Sequence, residues 1–183
     1  SNVPRILYIN QVLREETNIH ALSPIEVVQY WNAIPDKSNT YADTDAVSVF
    51  PNEGPNEPLR KRVLEILKKD KLDTPLIVSG LGVEPADNNC GFTFTETGNT
   101  RAIEAPFLTK DQRVTYDPHT QTLISGKDER SVPIWTPGGQ SGLRGASRGW
   151  YGELSFRVDD LLGSSSNGRV QVVQDPKGLD VEK

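Results

Sequence analysis

The chain has 183 residues, a formal charge of −5, 35% hydrophobic residues and 25% charged residues. That size suits one domain or two small ones sharing an interface, with enough Ile, Leu, Val and Phe to build a core. The acidity speaks against broad nucleic-acid binding, which relies on Lys and Arg facing phosphates, and no apolar run approaches the roughly 18 residues needed for membrane insertion.

Arg5-Ile6-Leu7-Tyr8-Ile9 reads as a first strand, running on toward Val12-Leu13. Ser23-Pro24-Ile25-Glu26 then announces a helix. Ser23 is a good N-cap, Pro24 suits the first turn, and Glu26 completes a capping box. Val27, Val28, Trp31 and Ile34 follow at helical spacing up to Pro35. Residues 36–45 read as a polar loop, and Ala46-Val47-Ser48-Val49-Phe50 as a strand ended by Pro51.

Asn56-Glu57-Pro58 opens a second helix with Leu59, Val63, Ile66 and Leu67 on its apolar face. Arg60, Lys61, Arg62, Lys68 and Lys69 are expected on the outside, where a charged helix face is ordinarily solvated. Thr74 to Ser79 reads as a buried strand. Residues 1–79 thus spell a small βαβαβ-like half with two helices and a parallel sheet.

From Gly80 the chain turns to hairpins. Strands are expected at 91–96, 101–105, 114–116, 122–124, 132–135, 151–158 and 169–173, separated by Gly, Pro, Asn and Asp turns. Residues 80–175 form an antiparallel β-rich half, continuous with the first or beside it, and 176–183 a tail or linker. The fold class is therefore α/β or α+β. Gly80 to Cys90 connects the halves, a place where a cleft can form.

The chemistry is sparse. Gly80-Leu81-Gly82 follows a buried strand but lacks the third glycine and the helix of a dinucleotide fingerprint, so it reads as a chain reversal. Asp43 and Asp45 precede a strand and could offer oxygen ligands to Mg²⁺ or Ca²⁺, although solvated loop acids is the plainer reading. His119 sits in an Asp-Pro-His-Thr turn. Cys90 is the only cysteine, which leaves no internal disulfide and no multi-thiolate zinc site. No hydrolase elbow or cofactor motif is legible, so no cofactor and no metal are expected.

The least ordinary composition lies at 136–152, with five glycines between 138 and 149, Arg144 and Arg148, and no acidic residue. Trp135 precedes it and Trp150-Tyr151 close it. It reads as a loop offering guanidinium groups and aromatic faces to a protein, a small anion or a carbohydrate. As a plainer hairpin loop, its glycines would serve the turns.

The leading expectation is a non-catalytic binding or structural module of a larger protein or assembly, engaging its partner through Trp135, Arg144, Arg148, Trp150 and Tyr151. The alternatives are a metal-assisted hydrolase using Asp43, Asp45 and His119, and a single-stranded nucleic-acid binder. The lone Cys90 fits a reducing compartment such as the cytoplasm. The opening Ser1-Asn2, the absence of methionine and the linker-like end read as a piece of a longer polypeptide or a processed form, from which a signal or anchor could have been lost.

Overall fold

Asn2 makes the first element a helix. Its side-chain oxygen accepts the Arg5 N–H at 3.0 Å, Pro4 lies in the first turn, and α1 runs Val3–Glu16. Val3, Ile6, Leu7 and Asn10 are buried at i, i+3, i+4 and i+7, while Tyr8 is exposed. The strand expected at 5–9 is thus corrected. A short apolar run is ambiguous between helix and strand, and the cap before it decides.

The other elements of this computed structural model, which describes residues 2–33, 41–110, 113–136, 140–149, 152–158, 160–162 and 168–174, follow in chain order. They are β1 (Ile19–Ala21), α2 (Pro24–Gln29), β2 (Tyr41–Val49), α3 (Glu57–Ile66), β3 (Leu76–Ser79), β4 (Gly82–Pro85), β5 (Phe92–Thr95) and β6 (Arg101–Glu104). Then come α4 (Phe107–Lys110), β7 (Arg113–Asp117), β8 (Thr122–Ser125), β9 (Val132–Trp135), β10 (Leu143–Arg148), β11 (Leu154–Val158), β12 (Gly168–Val170) and β13 (Val172–Gln174). The protein is mixed α/β and rich in antiparallel hairpins. The capping box at Ser23 forms as read, whereas Ile34, Pro35 and the rest of the loop up to residue 40 lie outside the described residues, as does the tail 176–183.

Nine strands share one sheet in the order β6-β3-β2-β10-β11-β9-β7-β8, with β12 pairing to β2. β2 and β3 are antiparallel, and the parallel pairs are β11–β9 and β12–β2. The parallel βαβαβ sheet is therefore replaced by a mixed, mostly antiparallel one. Strands from before and after Gly80 are neighbours in it, so both sequence halves build the same sheet.

β2 is buried along both faces. Ala46 and Phe50 belong to a core that includes Val27 and Val28 of α2, Phe107 and Leu108 of α4, and Phe156 of β11. Val47 and Val49 belong to a second core with Val3 and Leu7 of α1, Leu59 and Val63 of α3, and Phe92 and Phe94. The sheet lies between the two cores.

Two further expectations change. Arg60 is buried rather than outside: its Nε and Nη2 donate to the Phe50 and Pro51 carbonyls at 2.9 and 2.6 Å, and its Nη1 meets Glu57 at 3.0 Å. It satisfies carbonyls left open where Pro51 follows β2. The segment 136–152 is not one long loop, because residues 143–148 form β10, buried at every position between β2 and β11. Gly142 supplies the tight bend before it, with φ of +74° and the Pro55 backbone packed where a side chain would stand.

Candidate functional site

The pairing of β2 breaks at Thr44-Asp45. On one edge, Tyr41–Asp43 pairs in parallel with β12, and Ala46–Val49 pairs antiparallel with β3. On the other edge, two positions along β10 (Gly145 to Ser147) span four along β2 (Val47 to Asp43). This bulge leaves Asp45 outside the regular ladder. Its N–H donates to the Leu22 carbonyl at 3.1 Å, and its carbonyl accepts from Gly80 N–H at 3.2 Å. The expected loop acids Asp43 and Asp45 are therefore buried within a central strand. They look like turn residues by composition, but the bulge and the partners around it accommodate them.

The Asp45 side chain, 2% exposed, faces α1. Its Oδ2 accepts from Asn10 Nδ2 at 3.2 Å and stands 3.9 Å from Arg14 Nη2. Asn10 uses its other end to accept the Ala21 N–H at 2.8 Å, which fixes the amide orientation. Asp45 Oδ1 and Arg14 Nε have no hydrogen-bond partner among the described residues. Burial pushes the Asp45 carboxyl up from its ordinary 3.8 to about 7; Arg14 opposes the shift, and the Glu26 carboxylate adds to it. Glu26 in turn meets His20 Nε2 at 2.6 Å and accepts from both the Ser23 N–H and hydroxyl at 2.8 Å.

In front of this group opens a cleft of about 370 Å³. Asn10, Gln11 and Arg14 of α1 form one wall, the β3–β4 turn contributes Gly80 and Leu81, and Thr95 to Asn99 close the other side. The turn at Gly80 is locked by the Thr97 and Thr100 hydroxyls, which donate to the Gly80 carbonyl at 2.6 and 3.1 Å. Gly80 has φ of +69°, and a side chain there would meet the Asn99 backbone. Gly80-Leu81-Gly82 is thus a chain reversal, and its Gly80 and Leu81 are also part of a cleft wall.

The other candidates scatter. Asp43 is buried and registered opposite Ser147. His119 is exposed on the β7–β8 turn, donating its backbone N–H to Asp117 at 2.9 Å, and that bond together with the Thr120 hydroxyl holds the Asp117 carboxyl below its usual range. Arg144 and Arg148 are buried; Arg144 Nε donates to the Ser141 carbonyl and Arg148 Nε to Gln171 Oε1, both at 3.2 Å. Trp135 is half exposed at the end of β9, and Trp150 and Tyr151 lie outside the described residues. Among the described residues, no three His, Cys, Asp or Glu side chains gather as a metal-ligand set.

The turn at 97–100 between two strands is legible in the sequence, but Asn10, Gln11, Arg14 and residues 95–99 are not marked there as site residues. The signal was there once 3–16 is taken as a helix. Asn10 and Arg14 continue the Val3-Ile6-Leu7 stripe, and polar residues on a buried stripe call for partners. Comparison with protein-family models, curated proteins and solved structures finds no match.

Proposed function

We propose that the chain is a non-catalytic ligand-binding module that holds a small polar molecule in the cleft between α1 and the 95–99 turn. One observation carries the reading: the cleft is walled by Asn10 and Arg14, the two side chains that hold the buried Asp45 carboxyl, and the Arg14 Nε there has no hydrogen bond among the described residues. An unsatisfied buried donor of this kind is uncommon in a purely structural setting. The walls supply amide and hydroxyl groups from Asn10, Gln11, Thr95, Thr97 and Asn99, the few convergent polar groups that orient a small ligand. The segment 136–152, the sequence's preferred interface, enters this reading as support for the sheet through β10, with Trp135 the aromatic it leaves half exposed.

The test is an NMR titration of the full chain with mixtures of sugars, polyols, amines, carboxylates and amino acids. Shifts at Gln11, Thr97 and Asn99 are expected, and their loss in Gly98→Trp, a substitution at the cleft lip where a side chain meets open space. Shifts confined to Trp135 and its neighbours would move the binding face to the 136–152 segment.

A second reading, enzymatic, is favoured by the Asp45 carboxyl at about 7, which lets it exchange a proton near neutrality. Asp43 sits two positions away on the same strand, while His119 lies apart on the β7–β8 turn, so the form to test is a divalent cation held through Asp43 and Asp45. Calorimetric titration with Mg²⁺ and Mn²⁺ that gives no heat in wild type would remove it.

A further inference from the structure

Only one cation and one anion line the cleft among the described residues, Arg14 and Glu96, and every other polar side chain there is a neutral amide or hydroxyl. We infer that the cleft takes a small zwitterion of the free amino-acid type, its carboxylate on Arg14 and its ammonium toward Glu96. The inference rests on the cleft reading above and names its ligand class.

Arg14 is suited to the carboxylate because its fork is incompletely used. It approaches Asp45 at 3.9 Å and its Nε has no hydrogen bond among the described residues, so a modest rotation can present a bidentate face. It lies in the last turn of α1, where the helix dipole favours its positive charge and disfavours an isolated anion placed there. Behind it lies Asp45, whose carboxyl burial keeps largely protonated below about pH 7, and Glu96 adds a negative charge in front. A lone anion therefore faces the Glu96 carboxylate, and a lone cation faces Arg14. A molecule carrying both charges leaves the net charge of the cleft unchanged and pairs each wall with its opposite.

Glu96 is exposed and makes no ion pair among the described residues, so its carboxylate is at liberty to turn inward. The volume lies near the small end of ligand pockets, which run from about 300 to 1,000 Å³. No aromatic ring lines it among the described residues, so the stacking platform that favours sugars and bases is missing from its walls. Leu81 supplies an apolar patch for an amino-acid side chain.

The experiment is isothermal titration of the full chain with each free protein amino acid, then with the N-acetyl and methyl-ester forms of the tightest one, and with glucose and sorbitol. At least one amino acid is expected to bind, with affinity falling about tenfold or more when either charge is blocked. Glu96→Gln, on the exposed lip, is expected to give a similar loss, and Arg14→Gln likewise. Binding that survives both blocking groups, or a polyol that binds where no amino acid does, overturns the zwitterion while the cleft keeps its binding role. Absence of heat from every amino acid also overturns it; the cleft role then stands or falls separately on the NMR titration and the Gly98→Trp variant.

Discussion

Asn10 and Asp45 share a 3.2 Å hydrogen bond across the junction of α1 and β2, and the same Asn10 side chain holds the Ala21 N–H at 2.8 Å. One amide thereby ties a helix, the short strand β1 and the bulged central strand together. Replacing it with leucine conserves much of the volume but leaves both partners buried without it. Asn10→Leu is expected to destabilise the chain by about 2–4 kcal/mol, read from the midpoint of urea unfolding at constant slope.

Asp45 makes stability depend on pH in an unusual direction. Its folded pKa is about 7 against 3.8 for the ordinary group, so between those values the folded state holds the extra proton. Stability therefore falls as pH rises from about 4 to 7 and levels off above, by on the order of 4 kcal/mol from this group alone. Asp45→Asn removes the charge. It is expected to raise the melting temperature at pH 8 by several degrees, to change little at pH 4, and to flatten the slope between them. A steeper slope in the variant would refute the assignment.

Arg60 closes the end of β2 with donors to two backbone carbonyls and an ion pair with Glu57. Arg60→Leu strands those carbonyls in a buried site, with an expected loss of about 2–4 kcal/mol in chemical denaturation. Arg62→Leu on the same helix has the Phe94 carbonyl and Glu65 as its partners and is half-buried rather than buried; it should cost about 1 kcal/mol or less.

Two glycines give opposite predictions from their surroundings. Gly142→Ala forces a side chain into a left-handed position against the Pro55 backbone, so a loss above about 2 kcal/mol is expected. At Gly98 a Cβ meets nothing within 4 Å, and Gly98→Ala should stay within about 0.5 kcal/mol of wild type. Paired thermal melts check both.

The legible parts of the fold are those with a mechanism confined to a few residues. Ser23 and Glu26 meet three positions apart in the capping box, Asn56-Glu57-Pro58 starts α3, and the Asp117 turn joins β7 to β8. The first helix had the same kind of signal at Asn2 and Pro4, outweighed by the strand-like run behind it. At the site, Asp45 was legible as a residue to watch and 97–100 as a turn, but not that Asn10, Arg14 and residues 95–99 would share a cleft. Their chemistry appears only when α1 is laid against β2.

Composition and local pattern by themselves determined an acidic chain of mixed α/β type, with capped helices, a hairpin-rich second half and no disulfide framework. Those features rest on interactions between near neighbours, which any reading of the chain can trace. Tertiary structure alone decided that an Arg- and Gly-rich stretch would be a central strand and that Asp45 would be buried beside Arg14. Both follow from the pairing of β2 with β10, joined at the bulge by Thr44 and Ala146 across 102 positions. Bonds over that distance form when two buried faces are matched against each other, and that match is not written in either segment alone.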